Sequence, residues 1–423
     1  MDRTWSIMRQ IGSNFSGAWS SNVYLFSIST FSAMAEVVFS TLQSLGLVPG
    51  VAYLVTAVGV LLPSRILRIS AFLVNLVIVY HSIRSTATNV PAHDYSVGSG
   101  YIALLFHSSF YLFLSSPRSD FRRLNQAEPT TTLSWLQWAF ALLTSPRLIG
   151  WTTEKDKDGV RNCPPQPPAL LALPRPFLTE QSQTVGKRVV IVATVLAILN
   201  TRTFRLNVEG GPRLVDLPWF WKSVYVVICG CGAYAVIDIS HRLWMLLLVF
   251  ARVRQPSDFH PVFGSMADGY TLQRFWGRSW HQIHRRKFLA HAGFITRDLL
   301  GLPERSTSAA IIKLYTSFFV SALIHAGGDY ACLRHNSAAK TRYFGGGGSI
   351  PFFLLQALAI HVESMAIAGF RTMERAWLDQ GMRRGRKALK LIGYLWVWVW
   401  LTWTVPIVLG PLLEGGIPSI NTY

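Results

Sequence analysis

Half of the 423 residues are hydrophobic and only 14% are charged, with a mean hydropathy of +0.31, whereas soluble domains carry about 25% charged residues. This excludes an ordinary soluble chain and predicts one polytopic, all-α transmembrane helical bundle over residues 1–423. The formal charge of +19 lies in short connectors between apolar runs, as in loops facing anionic headgroups, and without any nucleic-acid module pattern it excludes nucleic acid as a partner.

In chain order, the N-terminus holds Arg3 and Arg9 without a short apolar core and cleavage site, so it reads as uncleaved. Asn14-Phe-Ser16 matches the glycosylation pattern, a common chance match. Apolar runs near 23–45 and 50–62 are weak span candidates, complicated by Glu36 and Pro63. Residues 66–83 and 101–115 are stronger when judged against the roughly 20 apolar residues a crossing needs. The 133–150 run contains Pro146. Residues 151–184 combine Glu154-Lys-Asp-Lys-Asp158 with Pro164, Pro165, Pro167, Pro168, Pro174 and Pro176, which predicts a charged, proline-rich extramembrane loop.

The run at 188–200 is short, whereas 219–251 is long and contains Cys229 and Cys231, read as small packing residues. Four cysteines make no disulfide framework. Further spans are expected at 308–331, 349–370 and 391–412, with Gly345 to Gly348 as a connector and Pro351 in the first turn of the helix that follows. Together these runs predict seven to nine crossings. Trp396, Trp398, Trp400 and Trp403 form an aromatic run expected to face lipid or the interface. No fixed-period repeat is found.

Orientation follows the basic residues. Arg252 to Arg305 holds nine and Arg371 to Lys390 nearly as many, whereas Ala331 to Gly348 has Arg334, Lys340 and Arg342. The first two segments are therefore expected in the cytosol.

Two motifs carry chemistry. His325 ends the apolar run Ser317-Phe-Phe-Val-Ser-Ala-Leu-Ile-His325, and an ionisable group there is a functional candidate. Upstream lies Phe275-Trp-Gly-Arg-Ser-Trp-His281. Taking a hydroxyl proton during nucleophilic attack needs a base near neutral pKa, for which histidine is the usual choice. Burial favours the neutral imidazole that a base requires. His325 is the candidate base. A fixed donor at the developing oxyanion contributes on the order of 3 kcal/mol.

Phe275-Trp-Gly-Arg-Ser-Trp-His281, followed 44 positions later by His325 in Val-Ser-Ala-Leu-Ile-His, resembles the wax synthase-like branch of the membrane-bound O-acyltransferases. That pattern is an FWGRRW-type cluster ending in Asn or His, then an apolar helix with a histidine after a Ser-Gly-like pair, here Ser321-Ala322. The resemblance covers residues 219–413 and includes Ser145-Pro-Arg-Leu-Ile-Gly150 with Trp151. It is most similar to fungal acetyltransferases of terpenoid and meroterpenoid biosynthesis.

The resemblance implies acetyl transfer from acetyl-CoA, as co-substrate, to a hydroxyl of a hydrophobic terpenoid or meroterpenoid in a membrane, expected to be the endoplasmic reticulum. No metal or bound cofactor is expected. His281, in the family's Asn or His position, is expected to be the oxyanion donor or to hold the thioester. Arg278 is expected at the coenzyme A phosphates, with Phe275, Trp276 and Trp280 walling the donor channel.

Asp329, one turn after His325, either orients the imidazole or marks the helix end. Glu363 either lines the cavity or pairs with a neighbouring helix. His81, His107, His241 and His361 also lie in apolar runs without implied chemistry. Alternatives are a long-chain acyl-CoA:alcohol acyltransferase making wax or steryl esters, a non-enzymatic transporter built on Asp238, His241 and Arg242, and a di-iron oxidase using His281-Gln-Ile-His284. The last needs several histidine clusters.

Overall fold

A backbone crossing lipid must satisfy its own polar groups, and a helix does so within one segment. The computed structural model describes residues 47–85, 87–88, 90–123, 127–153, 174–201, 213–334, 347–377, 385–415 and 417. Asn14, the 23–45 run, the Glu154 to Asp158 charges, the prolines at 164–168 and most of the 331–348 connector lie outside the described residues. The ten principal helices are α1 Val48–Leu61, α2 Arg65–Ser85, α3 Pro91–Leu112, α4 Thr132–Leu143, α5 Pro174–Leu199, α6 Trp219–Phe250, α7 Arg285–Gly293, α8 Thr307–Leu333, α9 Ser349–Trp377 and α10 Gly385–Glu414. The only strands among the described residues are β1 Phe121–Arg123 and β2 Trp151–Thr153, paired antiparallel with Phe121 opposite Thr153.

Among the described residues, six helices are long and apolar enough to cross a membrane, lying in α2, α5, α6, α8, α9 and α10. Large side chains such as Ile66, Phe250, Leu391 and Trp403 are exposed along them, as expected of a lipid-facing surface. The protein is a multi-pass membrane helical bundle.

The expected span at 101–115 is the second half of α3, whose first half carries His93, Asp94, Ser96 and Ser99. Helix α4 stops at Leu143 before Thr144, Ser145 and Pro146. The expected loop over 151–184 ends early, because α5 begins at Pro174. Pro174 and Pro176 stand in its first turn, where the missing N–H leaves no intrahelical bond unmade. The short run at 188–200 is thereby the second half of a long helix.

By contacts, the chain divides into the units Met1–Leu54 and Val55–Tyr423. In the second unit α8 is central, packing against α3, α9 and α7, while α5 pairs with α6, and α10 meets α6 and α9. The α3–α8 crossing depends on glycine. A Cβ on Gly327 would fall 2.5 Å from Ile102 Cγ1, and one on Gly98 would strike the Gly327 carbonyl.

The Asp238 carboxylate of α6 is paired. Asp238 of α6 accepts from Arg188 Nε of α5 at 2.9 Å and from Arg242 Nε at 3.0 Å, and Arg242 also bonds Gln181. These groups tie α5 to α6.

Candidate active site

The FWGRSWH segment leaves regular helical geometry. Thr271 caps a single turn, Leu272–Arg274, by accepting from Arg274 N. Phe275–Ser279 then winds as a π-helical turn closed by Trp280 N donating to Phe275 O at 2.8 Å. Such turns are uncommon and concentrate at functional sites.

Two residues of α9 fasten the segment to the bundle, and one ring pair stiffens it internally. Glu363 of α9 accepts from Leu272 N at 2.8 Å, from Gln273 N at 3.1 Å and from Trp396 Nε1 at 2.9 Å. Gln356, one face along α9 and wholly buried, accepts from Trp276 Nε1 at 3.3 Å and Trp400 Nε1 at 3.0 Å. Phe275 stacks on Trp280 with centroids 5.7 Å apart. Trp396 and Trp400 therefore turn their indole N–H groups toward α9, although Trp396 remains 38% exposed, so the lipid-facing expectation is corrected for the half-buried Trp400 alone. Trp403 is 61% exposed and Trp398 40%, in keeping with it. A buried indole N–H needs an acceptor, and α9 provides two.

His281 and His325 line one cavity of about 2280 Å³ together with Phe275, Trp276, Arg278 and Trp280. His281 Nδ1 is buried with no hydrogen-bond partner among the described residues, and such atoms call for explanation. Burial lowers the His281 pKa to about 4, so the ring is neutral. The His325 ring stacks on Phe353 at 4.8 Å, and its Nδ1 shares a 2.8 Å hydrogen bond with the Tyr95 hydroxyl of α3.

Asp329 does not hold the imidazole. Its Oδ2 accepts from Ser349 N at 2.9 Å, capping α9, and it is wholly buried. Glu363 both lines the cavity and fastens the FWGRSWH segment, so its two expected readings coincide.

Behind His281, burial and the adjacent Lys287, His281 and His325 hold His284 well below the ordinary imidazole range. Burial likewise lowers Lys287 to about 7. Its Nζ is 3.5 Å from His284 Nδ1. Among the described residues, no group of three or more His, Cys, Asp or Glu side chains is placed to hold a metal.

Basic side chains from several elements also line the cavity: Arg274, Arg278 and Arg285, Lys313 of α8 and Lys390 of α10. Arg278 is exposed. Arg285 donates to Gly277 O at 3.1 Å, and burial together with the Arg278 charge lowers its pKa. Lys313 stands 12 residues before His325 on α8, about 18 Å along the axis at 1.5 Å per residue. Other walls are apolar, with Val192 and Val195 from α5 and Val226, Cys229 and Val236 from α6.

Sequence reasoning left out Tyr95, Gln356, Lys287 and Arg285. Tyr95 is 230 residues from His325 in the chain and has no local signal. Arg285 and Lys287 follow His284 directly in the basic run Arg285-Arg-Lys287.

The motif sequence has counterparts in known proteins. Residues 259–355, spanning both histidines, match the membrane bound O-acyl transferase family. The chain is a membrane-bound acyltransferase. The acetyltransferase eriL of Hericium erinaceus is 29% identical to it over 364 residues, covering 85% of this chain and 88% of the relative. The acetyltransferase ple2 of Rhodocybe pseudopiperita is 27% identical over 335 residues, covering 78% and 81%. The acetyltransferase atnC of Arthrinium sp is 32% identical over 206 residues, covering 49% and 43%. No solved structure matches the acyltransferase.

Proposed function

We propose that the protein is an O-acetyltransferase that moves the acetyl group of acetyl-CoA to a hydroxyl of a hydrophobic terpenoid or meroterpenoid intermediate in secondary metabolism. One observation carries the reading: His325 and the FWGRSWH segment line a single large cavity with both basic and apolar walls. The basic side chains suit the phosphates of coenzyme A. The separation of Lys313 from His325, about 18 Å along α8, is comparable to the reach of the pantetheine arm. The apolar α5 and α6 walls suit a polycyclic acceptor. A short acyl group is supported by Trp276, which packs against Phe318, Phe352 and Phe353 with centroids 6.1–6.2 Å apart, filling space beside His325.

In this reading His325 accepts the acceptor's hydroxyl proton as the oxygen attacks the thioester carbonyl. His281, neutral and with one ring nitrogen unpartnered, donates to the oxyanion of the tetrahedral intermediate. The C–S bond breaks and His325 returns the proton to the coenzyme A thiolate, giving an acetate ester and free coenzyme A. Phe275, Trp276 and Trp280 wall the donor channel, and Arg278 holds donor phosphate. The basic segments 252–305 and 371–390 face the cytosol, so the donor enters from there, in the endoplasmic reticulum membrane.

The test is mass spectrometry of microsomes carrying wild-type or His325→Ala protein, supplied with acetyl-CoA and a panel of terpenoid alcohols. Acetate ester from wild type alone is expected. Ester from both would remove His325 as the base. Esters formed only with long acyl donors would replace the reading with a wax or steryl ester synthase.

A further inference from the structure

A histidine that must accept a proton at one ring nitrogen needs the other fixed as a donor. Asp329, one turn on, is the obvious partner in sequence, yet it caps α9 through Ser349 N. The group on His325 Nδ1 is the Tyr95 phenol, at 2.8 Å. Gly327 and Gly328, within His325-Ala-Gly-Gly-Asp329, allow this approach. A Cβ on Gly328 would fall 2.7 Å from Tyr95 Cδ2 and would strike Ser99 Oγ.

The surroundings of the phenol assign its hydrogen. Ser99, Ser349 and Asp329 are the polar neighbours of Tyr95. Ser99 Oγ, Ser349 Oγ and Asp329 Oδ1 are all buried without a hydrogen-bond partner among the described residues. A phenol has one hydrogen to give and lone pairs to receive. None of these oxygens is bonded to the phenol in the structure, and as unsatisfied acceptors they are the groups toward which its hydrogen can turn, leaving the phenol oxygen free for Nδ1–H.

We propose that Tyr95 is a positioning residue for His325, its oxygen accepting from Nδ1–H and its O–H donating into the Asp329, Ser349 and Ser99 cluster, so that Nε2 faces the cavity with its lone pair. This rests on the proposed role of His325 as the base. As the imidazolium forms, its Nδ1–H bond to Tyr95 strengthens. The reverse polarity would leave the proton on Nε2 and the ring unable to accept one. Asp329 thus acts on His325 through Tyr95, and the tyrosine stands where a carboxylate would otherwise orient the ring.

The experiment uses full-length protein in nanodiscs, with acetyl-CoA and the panel alcohol that wild type acetylates fastest. Tyr95→Phe is expected to lower kcat by about 10- to 100-fold, the usual size of an orienting contact, with both KM values changed less than about twofold. The acid limb of the kcat profile is expected to move to lower pH, because the imidazolium has lost an acceptor. An unchanged kcat, or an acid limb moved to higher pH, would overturn the proposal. If Tyr95→Phe fails to fold, a fluorinated tyrosine at position 95 keeps the shape and weakens the acceptor. The same shift is then expected, and its absence overturns the proposal. His325→Ala is run alongside: activity lost there with Tyr95→Phe normal removes Tyr95 alone, whereas activity kept in His325→Ala removes the reading of His325 itself.

Discussion

Glu363 Oε1 accepts the backbone N–H of Leu272 at 2.8 Å, and Oε2 that of Gln273 at 3.1 Å, so one carboxylate on α9 sets the entry of the FWGRSWH segment. The N–H groups at a helix start need such acceptors, and bonds to a charged group contribute more than neutral ones. Glu363→Ala is expected to destabilise the protein by about 3 kcal/mol, the scale of a charged hydrogen bond lost with its partners left buried. Glu363→Gln keeps an acceptor oxygen and should lose less. Thermal unfolding in detergent reads the order. Equal stability of wild type and Glu363→Ala would show that the segment is held by its aromatic packing instead.

The two histidines should differ in how they fail. Removing a general base lowers turnover on the order of 10²- to 10⁴-fold, and this is expected for His325→Ala without loss of fold. Removing an oxyanion donor costs on the order of 10²- to 10³-fold, the expectation for His281→Ala. His281→Asn restores an N–H donor and should recover part of that loss. No recovery would argue that the imidazole does more than donate. Single-turnover acetyl transfer, measured beside thermal midpoints, separates chemistry from folding.

Long apolar runs made most of the bundle legible, since a crossing in lipid leaves the backbone one regular solution. Residues 66–83, 219–251 and 308–331 correspond to Arg65–Ser85, Trp219–Phe250 and Thr307–Leu333. His281 and His325 were legible as a pair because the aromatic-basic cluster precedes the histidine helix. What eluded the sequence depends on which face of a helix points inward. Trp396, Trp398, Trp400 and Trp403 of α10 look equivalent in sequence, and only Glu363 and Gln356 on the facing helix separate Trp396 and Trp400 from the rest. Asp329 shares a face with His325 by spacing, but the start of α9 takes its carboxylate. Tyr95 reaches His325 from a helix 230 residues away, across a glycine crossing that no local pattern announces.

Arg278 is exposed and lines the cavity with Arg285 nearby, a pair suited to phosphate. Arg278→Ala is expected to raise KM for acetyl-CoA by about tenfold, equivalent to about 1.4 kcal/mol, with kcat little changed. The effect should shrink at high salt, because exposed charge pairs are screened. Acetyl N-acetylcysteamine carries the thioester without the phosphates, so its turnover should be the same in both proteins. An equal loss with that donor would place Arg278 at the thioester instead.

Lys287 supplies a test through stability. Burial lowers its pKa from 10.5 to about 7, so between those values the folded protein holds the amine neutral while the unfolded chain binds a proton. Where the unfolded state binds more protons, stability rises with pH. The destabilisation is therefore full below pH 7 and is relieved as pH climbs toward 10.5. Thermal midpoints in detergent should rise from pH 7 to pH 9, with a slope of up to about 1.4 kcal/mol per pH unit from this one group. Lys287→Met removes the titration while keeping the apolar stem, and should flatten that rise while stabilising the protein most at pH 7. An undiminished rise in Lys287→Met would assign the pH dependence to other groups and mean that Lys287 titrates near its ordinary value.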